Sequence, residues 1–435
     1  MQYDFAISSG AYEVVATLQE AGFESYIVGG AIRDLLLDRK PKDFDISTSA
    51  TPEEVRSVFG RRRARIIGKR FRLTHVTIHG ELFEVSTFRK APSLHAGNSG
   101  NEKFKKMPEN LIVSDNDYGT SREDAFRRDF TVNALFYDPV KKELTDFTGM
   151  GVKDIENKVV RAIGNAKLRF EEDPVRMLRA LKLVAQFDFS LDDDTENALF
   201  DCLSLLRHAS PGRLSLELEK ILRSSSSDRH FEVFFDYGLL NYFLPFLAEN
   251  WGSDACQKAL DLTYERNCRV EAGIYRDSIS LALASVALPF AVEELNCPAG
   301  KVWKKRTEEV ENALYNAVNT IFAPQILMVK VREAAVRIML MQSLLENVDD
   351  KDIPELMRHK SYAHARELLM IRALANQQEI TSLEKRFPKG NDPRDFRHAA
   401  GRQEKKNPFR KNRSRHRSRG RREGKRPELP PDMSE

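Results

Sequence analysis

Two aspartates separated by one residue, in Asp43-Phe44-Asp45-Ile46, are the residues of this chain whose type and spacing most directly suggest chemistry. On an extended strand alternate side chains share a face, so Asp43 and Asp45 would point one way while Phe44 and Ile46 point into a core. Two such carboxylates can hold hard cations. Mg²⁺ is typically bound through one or two carboxylates with waters and substrate phosphates, and two ions can clamp the attacking and leaving oxygens of a nucleotidyl transfer. Taken alone, the pair reads sooner as an exposed strand edge with two solvated acids.

Its neighbours favour the chemical reading. In Val28-Gly29-Gly30-Ala31-Ile32-Arg33-Asp34, two glycines stand between a strand-like segment and a helix start, where bare backbone N–H groups can receive a phosphate and Arg33 lies one turn further on. A phosphate cradle shortly before a carboxylate pair is the combination a nucleoside triphosphate requires. Other nucleotide sites are excluded: there is no G-x-G-x-x-G, and Gly68-Lys69 is followed by Arg70 with Arg63 where a P-loop needs its first glycine. Glu84, flanked by Phe83 and Val85 on the opposite face, would project to the side of a strand-borne acid cluster. Further on, Glu172-Asp173-Pro174-Val175-Arg176 reads as a helix start with Asp173 as N-cap and Pro174 at the first helical position. Asp173 and Arg176 stand one turn apart, and Arg179 continues the same face.

Gly29-Gly30-x-x-Arg33-Asp34, Asp43-x-Asp45, Arg127-Arg128-Asp129-Phe130-Thr131-x-Asn133-Ala134 and Glu172-Asp173-Pro174-x-Arg176-Met177-Leu178-Arg179-Ala180 together resemble the ordered motifs of the class II nucleotidyltransferases, the bacterial poly(A) polymerases and tRNA CCA-adding enzymes. Ile66–Val76 and Asp115–Thr120 are similar to the polyadenylating branch; the CCA-adding branch shares the core motifs and is the alternative. The resemblance implies template-independent transfer of AMP from ATP to an RNA 3′-hydroxyl, with release of pyrophosphate. It implies two Mg²⁺ ions, or Mn²⁺ in their place, on Asp43 and Asp45, and Asp129 as a third catalytic acid, a place for which Glu84 also stands. Gly29, Gly30, Arg33 and Arg128 would contact the nucleotide, and Asp173, Arg176 and Arg179 would offer hydrogen bonds to its base. Lys182 stands where the family often has a further Arg, so a planar bidentate contact is not expected there. A catalytically silent RNA-binding protein on the same fold would predict a damaged carboxylate pair, and both aspartates are present.

The elements that must position these residues change character along the chain. Tyr12–Glu20 is amphipathic, Ser25–Val28 is strand-like, a short helix is expected around Ile32–Leu37, and Thr74–Ile78 and Leu82–Phe88 read as a hairpin turning at His79-Gly80. From Lys90 to Thr120 the chain is polar and Gly/Asn/Lys-rich, as expected of a long loop. After about Gly151 helical periodicity takes over. The predicted fold is an α+β, polymerase-beta-like nucleotidyltransferase head with a mixed sheet over 1–150. A helical neck over 151–215 follows, then a helical RNA-binding body and leg over 216–387, and a disordered basic tail over 388–435.

Of 435 residues 41% are hydrophobic and 31% charged, as in a globular protein. Residues 401–435 hold 13 Lys/Arg against 5 Asp/Glu, so the tail carries +8 while the whole chain carries +4, which leaves the first 400 residues at −4. Such a tail suits the phosphates of RNA or a protein of RNA decay, and its single aromatic residue, Phe409, argues against base stacking. The four cysteines have neither zinc-site nor disulfide-framework spacing. Met1–Gly10 lacks a basic leader, and the apolar window Ile279–Val292 is broken by Pro289 and falls short of the roughly 20 residues a bilayer needs. A cytoplasmic protein without membrane contact is expected.

Overall fold

The computed structural model describes residues 1–68, 72–90 and 118–390. Lys69–Phe71, nearly all of the polar Lys90–Thr120 segment with Asp115–Asp117, and the basic tail beyond Gly390 lie outside the described residues.

Seven strands form one mixed sheet: β1 (Ser25–Val28), β2 (Asp45–Thr48), β3 (Ala64–Ile67), β4 (Leu73–Ile78), β5 (Glu81–Thr87), β6 (Leu135–Asp138) and β7 (Glu143–Asp146), in the spatial order β3-β4-β5-β2-β1-β6-β7. The β2–β5 pair is parallel and the other neighbours are antiparallel. Alternation decides the two faces. Thr74, Val76 and Ile78 on β4 and Phe83, Val85 and Thr87 on β5 are buried, while Thr77, Leu82 and Glu84 are exposed. The expected hairpin is present, with His79 and Gly80 both at positive φ.

Helices α1 (Ser9–Glu20), α2 (Gly30–Leu36), α3 (Pro52–Arg63) and α4 (Ser121–Arg127) belong to this half. α3 starts on a capping box, Thr51 with Glu54 and Pro52 behind the cap, and α4 starts on another, Thr120 with Glu123. Val14, Val15, Leu18, Val55 and Phe59 from α1 and α3 join the core with the inward strand residues.

Beyond β7 the chain is helical: α5 (Gly151–Glu156), α6 (Ala166–Glu172), α7 (Val175–Phe187), α8 (Asp193–Cys202) and α9 (Pro211–Arg223) come first, with β8 (Val159–Val160) and β9 (Ser190–Leu191) forming a two-residue parallel pair. The remainder comprises α10 (Ser227–Asp236), α11 (Leu240–Phe243), α12 (Pro245–Glu249), α13 (Asp254–Glu271), α14 (Ile279–Glu294), α15 (Glu308–Ile321), α16 (Val329–Asn347), α17 (Ile353–Leu356), α18 (Tyr362–Ala375) and α19 (Thr381–Arg386). α14 contains the apolar window seen in the sequence. It is buried along most of its length, the pattern of a central core helix. Among the described residues no helix is long and apolar enough to cross a membrane.

Candidate active site

Asp45 opens β2, and Asp43 precedes the strand by two residues; both are exposed and Ile46 is buried, but Ser47 and Thr48 are buried too and Phe44, expected in the core, is only half-buried. The parallel register sets Ile46 beside Val85, which places Glu84 beside Asp45 on the same face. Partial desolvation, followed by the negative charges of Asp43 and Glu84, pushes the Asp45 carboxyl up to about 6 although Arg128 pulls the other way. The cluster is therefore short of positive charge. Its all-oxygen donor set suits a hard cation, and among the described residues no three such donors are grouped tightly enough to enclose an ion by themselves.

The glycine turn lies one strand away, at the end of β1. Gly29 has φ 76°, a conformation a side chain resists, and a Cβ there would stand 3.5 Å from Arg128 Nη1. A Cβ on Gly30 would stand 3.2 Å from Arg33 Nη2. Two guanidinium groups thus converge on the turn. Arg128 is fixed by Asp124 Oδ2 at 2.9 Å, Ser47 Oγ at 3.2 Å and the carbonyl of Asn133 at 3.3 Å. Arg33 donates to Asp34 Oδ1 through Nε and Nη2 and to Asn133 Oδ1 at 2.8 Å through Nη1, and lies over the Phe187 ring at 4.3 Å. Arg33 is consequently buried and buttresses the turn.

Asp129 stands apart from the Asp43–Asp45–Glu84 cluster in its contacts. Its Oδ1 accepts from the Phe130 N–H at 2.9 Å and from Asn133 Nδ2 at 3.3 Å, and its Oδ2 is 3.6 Å from Arg179 Nη1 on α7. Asn133 links Arg33, Arg128 and Asp129, a role that its place in the motif did not reveal.

The other wall comes from α6, α7 and α9. Pro174, not Asp173, takes the N-cap position of α7, yet Asp173 Oδ1 still accepts from the Val175 N–H at 3.2 Å, so the cap is shifted by one residue. The Asp173 carboxylate is gripped in bidentate fashion by Arg213 of α9, at 2.9 and 2.7 Å. Arg176 is turned onto the Arg169 carbonyl and Glu172 Oε2, each at 2.9 Å. Asp173 and Arg176 therefore each serve a protein partner. Among Arg33, Arg128, Arg176 and Arg179, the last has the most exposed side chain, 40% against 10%, 19% and 9%. Behind it, burial alone would raise the Glu217 carboxyl, but Lys182, Lys220 and Arg179 more than reverse this and hold it at about 2. Lys182 Nζ contacts Glu217 Oε2 at 2.6 Å. Arg169 ties the wall to the head by donating to the carbonyls of Arg127 and Arg128. Arg213, Glu217 and Arg169 carried no motif signal; each is recognisable only once the helices are in place.

Residues 25–161 match the family described as the poly A polymerase head domain, and residues 188–250 match one described as the probable RNA and SrmB binding site of polymerase A. Over these residues the chain is similar to the poly(A) polymerase head, and its relatives include both poly(A) polymerases and CCA-adding enzymes. The chain is 40% identical over 250 residues to poly(A) polymerase I of Haemophilus influenzae, an alignment covering 57% of this chain and 54% of that protein. It is 38% identical over 226 residues to a CCA-adding enzyme of Lactobacillus helveticus, covering 52% and 53%. The chain thus spans about half the length of the curated relatives it matches. A crystal structure of the Bacillus stearothermophilus CCA-adding enzyme in complex with CTP superposes with a TM-score of 0.58 at 25% identity, covering 87% of this chain and 81% of that one. The second match, 188–250, straddles the neck–body boundary expected at 215.

Proposed function

We propose that this protein transfers AMP from ATP to the 3′-hydroxyl of RNA without a template, releasing pyrophosphate, with a catalytic head over 1–150, a neck over 151–215 and an RNA-gripping body over 216–387. The observation that carries the reading is the register that sets Asp45 beside Glu84 on one exposed sheet face, with Asp43 two residues before the strand, one strand from the Gly29-Gly30 turn. Asp43 and Asp45 would hold Mg²⁺, which when bound supplies activation of the attacking hydroxyl and neutralises the leaving pyrophosphate. Glu84 fits the place of third acid better than Asp129, because it acts electrostatically on Asp45 while Asp129 is spent on Asn133 and Arg179. Arg128 and the backbone of the glycine turn receive the triphosphate, and Arg33 keeps that turn in shape.

Arg179 is the donor most available to the base edge, braced by Asp129 and Glu217. Asp173 and Arg176 shape the pocket behind it. In this reading the basic tail holds RNA, a protein of RNA decay is a further partner, and the setting is the cytoplasm. A second reading, tRNA CCA addition, draws support from the superposition on the CTP-bound CCA-adding enzyme. Supplying an unstructured RNA with one nucleotide at a time separates the two. Many residues added with ATP and few with CTP support polyadenylation. Efficient CTP use confined to tRNA lacking its end overturns it.

A further inference from the structure

The half of the sheet beyond Glu84 has one face that the proposed chemistry does not use. Successive registers place Arg65 of β3 beside His75 of β4, His75 beside Glu84 of β5, and Glu84 beside Asp45 of β2. The four side chains form one row across the sheet. At about 4.8 Å per strand, His75 lies roughly 10 Å and Arg65 roughly 14 Å from the Asp45 strand. The row runs from acid to base: His75 Nε2 is 3.6 Å from Glu84 Oε1, and Arg65 is exposed with no ion-pair partner among the described residues.

Beside the row on the same face stand Ile67, 39% exposed, and Leu82, 57% exposed. The opposite face of these strands is filled by Ala64, Val76, Phe83 and Val85 against α1 and α3. β3 is the edge strand, so a chain crossing this face can leave it without obstruction from the sheet, toward the exposed Arg61, Arg62 and Arg63 that end α3.

We infer that the open face of β3–β4–β5 seats the RNA acceptor strand, with its 3′ end at the Asp43–Asp45 pair and its backbone passing over His75 to place a phosphate on Arg65. The inference rests on the nucleotidyltransferase reading and adds the direction of the acceptor. A single strand carries a phosphate every ~3.4 Å when stacked and at wider intervals when extended, so a 14 Å row reaches the second to fourth phosphate from the 3′ end. His75 separates the incoming backbone from the Glu84 carboxylate. Ile67 and Leu82 offer apolar surface to base faces at the same level.

The test is binding of 5′-labelled oligoadenylates of two, four, six and eight nucleotides to the full chain, followed by fluorescence anisotropy across a salt series. Arg65→Gln should leave the dinucleotide unchanged and weaken the longer oligomers about three- to fivefold at low salt, with the slope of log affinity against log salt shallower by ~0.7, one phosphate contact on a single strand. Arg65→Lys should retain most of the wild-type slope, since the charge is kept. Equal affinities and slopes for Arg65→Gln and wild type at every length would overturn the inference, as would an equal loss on the dinucleotide. The parent reading is judged separately, by whether the wild-type chain extends RNA with ATP at all.

Discussion

Replacing Asp45 with asparagine should stabilise the protein while abolishing transfer. The carboxyl is pushed up to about 6 in the folded chain against an ordinary 3.8, because of partial desolvation and the neighbouring Asp43 and Glu84 charges. A raised acid pKa means that the folded state holds the proton between about pH 4 and 6 where the unfolded chain has released it, so stability falls as pH rises through that window and the full penalty is present above 6. The shift taken at face value corresponds to ~3 kcal/mol. Asp45 is solvent-exposed, so screening reduces this to about 1 kcal/mol. For a cooperative unit of 150–250 residues that is a rise in Tm of about 2–4 °C. Thermal unfolding of wild type and Asp45→Asn, in chelator at pH 8, 6 and 4, measures it. The variant should lead at pH 8, and the lead should shrink to nearly nothing at pH 4. Identical Tm values at pH 8, or a lead that persists unchanged at pH 4, would refute the claim that Asp45 is held against like charge.

His230 is buried, its Nδ1 donates to the Ser226 carbonyl at 2.6 Å, and burial pushes the imidazole down to about 4. Stability should therefore fall as pH drops from 6.5 to 4, by ~3 kcal/mol from this group, and chemical denaturation of His230→Gln should show that much less acid sensitivity. Arg213→Ala releases the Asp173 carboxylate from its bidentate partner and should lower kcat/KM for ATP about tenfold, a charge-assisted contact of ~1.5 kcal/mol, with little change in affinity for RNA in binding assays. Truncation after Gly390 keeps the buried Phe387 and the Tyr362 hydroxyl bond to the Pro388 carbonyl, so Tm should hold while affinity for long RNA falls, most at low salt.

The sheet residues were legible because their pattern has period two. Asp45, Phe83, Glu84 and Val85 declare their faces by alternation, whereas Asp43 lies before β2 and owes its place to the segment leading into the strand; His79-Gly80 marks the hairpin. β3 was not foreseen, since Ala64–Ile67 follows an arginine run that looks like surface and gains its strand only by pairing with β4. The burial of Arg33 depends on Asn133, 100 residues away, and Phe187, 154 away, which no local spacing encodes. Arg213 and Glu217 escaped notice for the same reason. Each is an ordinary charge on an amphipathic helix until α9 meets α7.

The central claim is that the Asp43–Asp45 face performs nucleotidyl transfer to RNA, and transfer of α-labelled AMP to a short RNA under single-turnover conditions tests it most directly. Wild type should label the 3′ end in the presence of Mg²⁺. Asp43→Ala and Asp45→Ala should lose at least a thousandfold in rate, about 4 kcal/mol of barrier, while remaining folded and binding the RNA. Transfer by either variant within tenfold of wild type, or a wild-type chain that labels no RNA with any nucleotide, would contradict the account.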